Sequence, residues 1–130
     1  MKTIRLYRPV GVKELKLIVD SGMKAYPPRL SWQPIFYPVL NFEYAAQIAK
    51  EWNTEDEGSG YAGFVTTFEL AEEYFKTFKV ENVGGTIYEE LWVPAEQLNE
   101  FNNQISGTIK IVAAFYGDNY SGTPVEIETL

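Results

Sequence analysis

The sequence predicts a single α+β domain, because five or six strand patterns and three or four helix patterns follow one another in an irregular order. A chain of 130 residues has the length of one domain and can bury one hydrophobic core without a disulfide or a metal. The regular alternation of strands and helices that a doubly wound parallel sheet requires is missing. We expect the domain to span residues 1–117 and residues 118–130 to form a polar C-terminal tail.

The first two elements follow from hydrophobic spacing and from the residues that end each pattern. Residues 3–8 mix apolar and polar side chains as a strand does, and Pro9 and Gly11 close that pattern. Residues 12–19 then carry apolar side chains at helical spacing up to Gly22, which suits a helix end. The chain therefore opens as strand, turn and helix.

A short strand, a helix and a loop are predicted next. Residues 33–39 form the strand, which two prolines interrupt. Asn41 caps the clearest helix of the chain, whose apolar stripe runs over residues 44–52. The acidic, glycine-bearing residues 54–60 contain no core candidates, so we expect a mobile loop there.

The second half is predicted to contain a central strand, a short helix, a hairpin, a further helix and a last strand. These elements occupy residues 61–70, 71–78, 79–93, 94–107 and 108–116. Gly84 and Gly85 supply the hairpin turn, Pro94 can start a helix, and Gly107 can end it.

The composition excludes several chemistries. The chain has no His and no Cys, so a Cys nucleophile, a Ser-His-Asp triad and a zinc site built from Cys and His are ruled out. Acid–base chemistry is left to carboxylates, Tyr and Lys, and we expect no metal. The net charge of −7 disfavours general nucleic-acid binding, because it repels a phosphate backbone.

Signals for export or for a membrane are also missing. The first ten residues lack the apolar core of a signal peptide, and no apolar run reaches the length of about 18 residues that a membrane helix needs. We therefore expect a cytoplasmic protein that does not enter a membrane.

Residues 58–63 fit the G-x-G-x-x-G pattern of dinucleotide-binding folds. That pattern has meaning only where it follows a strand and opens a helix, whereas here it precedes a strand. A Rossmann-type site is therefore disfavoured. The Walker-type phosphate loop does not occur in the sequence.

Charged side chains supply the first candidate site residues. Glu90 shares a strand face with Tyr88 and Trp92, and a carboxylate among aromatic rings needs either partners or a cleft. The alternative is that Glu90 is solvated on an exposed edge strand. Arg8 and Arg29 can each hold a phosphate or carboxylate through paired hydrogen bonds, or can be ordinary surface cations.

Tyr37 and Tyr44 are the aromatic candidates. Tyr37 ends a short strand pattern and Tyr44 lies on the capped helix that follows. A Tyr at such a position can stack on a flat heterocycle or lend its hydroxyl to a site, and it can equally be part of the core.

Three segments, in chain order, resemble the motifs of the ADP-ribosyltransferase fold. Residues 6–8, Leu-Tyr-Arg, look like the first motif, in which an Arg or His terminates the first strand. Residues 36–45 are similar to the second motif, a strand residue and the helix after it that form the nicotinamide pocket. Residues 90–93 resemble the third, a Glu opening a strand of the form Glu-x-x-Val.

The chain up to about Gly117 also resembles a family of short bacterial proteins labelled ADP-ribosylation/crystallin J1. The shared segments are Leu-Tyr-Arg-Pro-Val-Gly, Pro-Pro-Arg-Leu, Gln-Pro-Ile-Phe-Tyr-Pro-Val, Trp-Asn and Trp-Val-Pro-Ala-Glu-Gln-Leu. The resemblance implies two small mixed or antiparallel sheets with three to four helices.

The resemblance further implies that NAD is bound as a substrate. Arg8 would hold a phosphate or the nicotinamide-side ribose, and Tyr37, near Tyr44, would pack against the nicotinamide ring. Glu90 would accept a hydrogen bond from the ribose 2′-hydroxyl and stabilise the oxocarbenium-like species that forms as nicotinamide departs. Glu90 and Tyr37 are thus predicted to be catalytic, and Arg8, Tyr37 and Tyr44 to bind NAD.

The sequence departs from the transferases at two points. The Ser-Thr-Ser element of the Arg type is missing near Tyr37, and Tyr88 stands where an acceptor-directing Glu or Gln would precede Glu90. Three interpretations stay open. They are an NAD-dependent transferase or glycohydrolase, a catalytically inactive nucleotide-binding relative, and a protein-interaction module, such as an immunity or accessory protein, whose acidic surface binds a basic partner.

Overall fold

Two three-stranded antiparallel sheets organise the chain, as a computed structural model that describes residues 2–128 shows. The first sheet has the order β1 (Thr3–Val10), β3 (Ala62–Ala71) and β6 (Ile105–Tyr116). The second has the order β2 (Ile35–Phe36), β5 (Glu89–Pro94) and β4 (Lys79–Asn82). The predicted α+β class, the hairpin and the central position of the strand near residues 61–70 are confirmed.

Within residues 2–128, four α-helices accompany the sheets: α1 (Val12–Asp20), α2 (Phe42–Glu51), α3 (Glu72–Phe75) and α4 (Leu98–Asn103). The predicted cap of α2 is confirmed, because the Asn41 side chain accepts a hydrogen bond of 2.8 Å from the Tyr44 backbone N–H. Ala45 and Ala49 bury one face of α2, whereas Trp52 beyond its end is 60% exposed. The buried part of the predicted stripe therefore stops before Trp52.

The core lies on both faces of β3, which is buried along most of its length. One face carries Phe64 and Phe68 into the main hydrophobic cluster, together with Leu15 and Ile18 of α1. Because neighbouring strand residues point to opposite faces, Val65 packs instead against the alanines of α2. Helices α1 and α2 thus cover opposite faces of the first sheet.

Residues 38–40 join the two sheets. On one side the backbone of Val39 exchanges hydrogen bonds of 2.9 and 2.7 Å with Tyr7 of β1. On the other side Leu91 N–H donates to Pro38 O at 2.8 Å, and Leu40 N–H donates to Glu89 O at 3.1 Å. Val39 therefore forms single bridges to Tyr7 and to Glu90.

Several predicted boundaries were wrong. The strand at residues 33–39 is reduced to Ile35–Phe36 and the Val39 bridge, because proline cannot donate to a strand ladder. β1 continues through Pro9 as far as Val10. Gly107 does not end a helix but lies within β6 at φ +75°, where β3 and β6 change register.

The loop predicted at residues 54–60 forms two short 3-10 turns, Asn53–Glu55 and Glu57–Ser59. Residues 54–60 contribute no side chain to the hydrophobic core, yet Thr54 and Ser59 are buried. Ser59 donates to Asp56 at 2.7 Å and accepts from Asn53 at 2.8 Å. Polar side chains, not apolar ones, hold this segment.

The chain after Gly117 lies against the first sheet and the main hydrophobic cluster. Tyr120 and Val125 pack against the main core, and Glu128 N–H donates to Ile111 O at 2.6 Å. Within residues 2–128, no helix combines the length and apolar character needed to cross a membrane.

At Gly63 the backbone of α2 lies directly against β3. A Cβ at Gly63 would overlap backbone atoms of Ala49, so Gly63→Ala must displace the helix. We expect a loss of about 1–3 kcal/mol in the free energy of unfolding, measured by chemical denaturation. Ser106→Ala, at an exposed position of β6, serves as the control and should change stability by less than about 0.5 kcal/mol. Equal stability of the two variants would contradict this packing.

Candidate functional site

A cleft of about 660 Å³ opens where the two sheets separate. Beyond the Tyr7–Val39 bridge, β1 continues to Val10, whereas β2 pairs only with β5. The cleft lies at this divergence, and its volume is within the range of about 300–1,000 Å³ typical of small-molecule sites. Its lining includes Arg8, Gly11, Lys13, Glu14, Leu17, Arg29, Tyr37, Val39, Trp52, Asn53, Asp56 and Glu90.

Glu90 provides a fixed carboxylate at this cleft. It lies on β5, the central strand of its sheet, so it is not on an exposed edge. Its neighbours Leu91 and Val93 are buried, whereas Glu90 is only partly buried. One carboxylate oxygen accepts from the Tyr44 hydroxyl at 2.5 Å and the other from the Trp92 indole N–H at 3.0 Å. Both oxygens are therefore oriented by neighbouring rings.

Tyr44 holds its proton firmly in this arrangement. Burial raises the pKa of the Tyr44 hydroxyl, and the hydrogen bond to Glu90 and its charge raise it further. The Tyr44 ring also contacts the ring of Tyr88 edge-on at 5.0 Å. Tyr44 is not among the residues that line the cleft, so it contributes through Glu90 and not by direct contact.

Arg8 is a buried cation with an internal partner. Arg8 is only 8% exposed. Its guanidinium donates hydrogen bonds to both carboxylate oxygens of Glu14, at 2.7 and 3.0 Å. It also lies 4.7 Å from the centre of the Phe36 ring. Burial alone would lower the pKa of Arg8, but the charge and hydrogen bonds of Glu14 outweigh this effect and raise it. Arg8 is thus already neutralised at one wall of the cleft.

Tyr37 places an aromatic ring at the same cleft. Tyr37 directly follows β2 in the chain and is 41% exposed. Its ring lies edge-on to the ring of Trp92, with 6.3 Å between the ring centres. Since Trp92 also donates to Glu90, the ring of Tyr37 and the carboxylate are linked through one indole. An exposed ring next to a fixed anion suits a flat, electron-poor heterocycle.

Arg29 and Lys13 add positive charge to the lining. Arg29 donates from Nε to the backbone oxygen of Ile35 at 3.1 Å, and burial, together with the nearby charge of Arg8, lowers its pKa. Within residues 2–128, neither Arg29 nor Lys13 forms an ion pair. Among the described residues, three cations and the three carboxylates of Glu14, Asp56 and Glu90 therefore line the cleft, and one of the cations is paired with Glu14.

The structure brings Arg8, Tyr37 and Glu90 to one cleft although they are far apart in sequence. Sequence reasoning missed Glu14, which lies six residues after Arg8, because their meeting depends on the turn at Gly11. It also missed the Trp92 indole as a donor to Glu90, although the two residues share the face of a predicted strand.

Among the described residues 2–128, no group of three His, Cys, Asp or Glu side chains is placed to hold a metal ion. Comparison of the chain with protein-family models, with curated proteins and with solved structures finds no match. The resemblance to the ADP-ribosyltransferase fold therefore stays a prediction.

The Tyr44–Glu90 bond predicts a specific pH dependence. An unfolded Tyr ionises near pH 10, and the folded-state pKa of Tyr44 is higher. The stability that this difference contributes is therefore present below about pH 10 and is lost as the pH rises above it. When the titration of the tyrosines is followed by tyrosinate absorbance, Tyr44→Phe should lack one of the Tyr residues that ionise at high pH in the wild type. The free energy of unfolding of the variant should also fall less steeply above about pH 10 than that of the wild type.

In Glu90→Gln, the pKa of Tyr44 should fall towards its ordinary value, because the neighbouring negative charge is gone. Burial also raises the pKa of Tyr26, but Tyr26 is present in every variant, so its contribution cancels when the titration curves of wild type and variant are subtracted. Ionisation of Tyr44 together with the exposed tyrosines in the wild type would contradict the hydrogen bond.

Proposed function

We propose that this cleft binds NAD or a related nucleotide in an ADP-ribosyltransferase-like domain, with Glu90 facing the ribose next to nicotinamide. The observation that carries the proposal is the meeting of a cation, an exposed ring and a fixed carboxylate, Arg8, Tyr37 and Glu90, around one cleft. These are the residues to which the resemblance assigns NAD binding and catalysis. The volume of about 660 Å³ is adequate for a ligand of this class.

The arrangement supports cleavage of the bond between nicotinamide and ribose. The C–N bond breaks and its electron pair leaves with the nicotinamide nitrogen, so positive charge develops on the ribose. Glu90 stabilises this charge, because Tyr44 and Trp92 fix its carboxylate before the reaction begins. Water or another nucleophile then adds to the ribose carbon and loses its proton, which gives ADP-ribose or an ADP-ribosyl product.

A second candidate is nucleotide binding without turnover. The observation that favours it is the Arg8–Glu14 pair, which already occupies two of the guanidinium nitrogens. A ligand phosphate can then engage Arg8 only in part, and less electrostatic stabilisation is available to a transition state. Release of nicotinamide distinguishes the two candidates.

Glu90→Gln tests the catalytic role. We expect it to reduce nicotinamide release from NAD by at least about 100-fold, because the fixed negative charge at the developing cation is lost. Glu89→Gln is the matched control, since Glu89 is the adjacent carboxylate of the same strand and points away from Glu90. Release should be measured by chromatography, with circular dichroism to verify folding.

Equal turnover in wild type and Glu90→Gln would reject the catalytic assignment. Binding of NAD without release of nicotinamide in the wild type would favour the second candidate. If NAD neither binds nor reacts, and a basic protein binds in a salt-sensitive manner, the interaction interpretation takes its place.

Tyr37→Ala tests the nicotinamide-binding surface. Loss of a stacking ring typically costs about 1–3 kcal/mol per base, so NAD should bind roughly 10-fold more weakly or worse, while Tyr37→Phe keeps the affinity. Trp32→Ala is the control, because Trp32 is 74% exposed and does not line the cleft. Affinity can be followed by the rise of Tm with NAD concentration. A loss in Trp32→Ala equal to that in Tyr37→Ala would place the ligand elsewhere.

A further inference from the structure

We propose that Arg29 and Lys13, and not Arg8, form the subsite for the diphosphate of the bound nucleotide. This inference rests on the proposed function and identifies the residues that hold the anionic part of the ligand. Both side chains line the cleft and belong to separate elements, since Lys13 lies in the first turn of α1 and Arg29 in the connection between α1 and β2.

Arg8 is poorly suited to this task. Its contact with both oxygens of Glu14 uses the same paired geometry that a phosphate would need. A phosphate that displaced Glu14 would leave its carboxylate, only 23% exposed, without its partner. Because an unpaired buried charge is strongly unfavourable, the exchange opposes binding. Arg8 therefore forms the wall of the cleft and positions Glu14.

Arg29 has the capacity that Arg8 lacks. Its one side-chain hydrogen bond within residues 2–128 runs from Nε to Ile35 O, which fixes the base of the guanidinium and leaves both terminal nitrogens available. Its side chain is partly buried at the cleft, near the like charge of Arg8. A bound anion would neutralise this partly desolvated guanidinium, and the fork of an Arg matches two oxygens of a phosphate.

Lys13 supplies the second charge. It is exposed, lines the cleft and forms no ion pair within residues 2–128. A single phosphate monoester could be held by Arg29 alone, whereas two unpaired cations from different elements suit a ligand with two linked phosphates. The lining as a whole carries equal numbers of cations and carboxylates, the latter on Glu14, Asp56 and Glu90, so Arg29 and Lys13 are distinguished by their lack of an ion-pair partner within residues 2–128.

The test is calorimetric titration of NAD and of inorganic pyrophosphate into wild type and variants. Arg29→Gln should weaken both ligands at least 10-fold, and Lys13→Gln should weaken both 3- to 10-fold, with a reduced dependence on salt. Arg29→Lys should bind more tightly than Arg29→Gln but less tightly than the wild type, because Lys keeps the positive charge and lacks the forked donor geometry of Arg. The matched control is Lys16→Gln, an exposed Lys of the same helix that does not line the cleft and should bind as wild type.

The outcomes separate this inference from the proposed function. Wild-type affinity for NAD in Arg29→Gln, with Tyr37→Ala still defective, overturns the diphosphate subsite but leaves the proposed function in place. Binding of pyrophosphate that is sensitive to Arg29, without binding of NAD, supports the subsite and rejects the function. If neither ligand binds the wild type, or if Lys16→Gln weakens binding as much as Arg29→Gln, the subsite is rejected.

Discussion

Hydrogen bonding of residues 38–40 to both sheets determines the architecture of the cleft. Val39 bonds to Tyr7 of β1 on one side, and its neighbours bond to β5 on the other. Because the contact with β1 is a single bridge, the strands separate immediately beyond it. A continuous ladder at this point would have produced one six-stranded sheet with no space between Arg8 and Tyr37. The cleft is therefore a consequence of an incomplete strand, which the prolines around β2 keep short.

The same junction also positions charged side chains of the site. The Val39–Glu90 bridge brings Glu90 towards α2, where the Tyr44 hydroxyl meets its carboxylate. On the opposite wall, burial of Arg8 requires a counter-ion, which Glu14 provides from the first turn of α1. Removing one partner of a buried ion pair typically costs about 3–5 kcal/mol, so this pair is part of the structure of the cleft. Ligand recognition is then left to the groups that remain unpaired.

The parts of this fold that depend on local signals could be predicted from the sequence. The Asn41 cap, the hairpin around residues 84–85 and the apolar run of β3 each depend on neighbouring residues. The cleft could not be derived in this way, because it depends on pairing between remote segments. Trp52 illustrates the limit. Its spacing predicts burial, yet α2 ends at Glu51, and Asn53 and Thr54 take the buried positions instead. The roles of the candidate site residues were predicted from the family resemblance, whereas the ion pair between Arg8 and Glu14 was not predicted.

The most direct test follows the indole N–H signals of the three Trp residues by nuclear magnetic resonance during titration with NAD. The Trp92 indole donates to Glu90, and Trp32 does not line the cleft. If the cleft between the sheets is the nucleotide site, the Trp92 signal shifts in a saturable manner and the Trp32 signal stays in place. A Trp92 signal that stays unchanged at saturating NAD, or a shift confined to Trp32, would contradict the account.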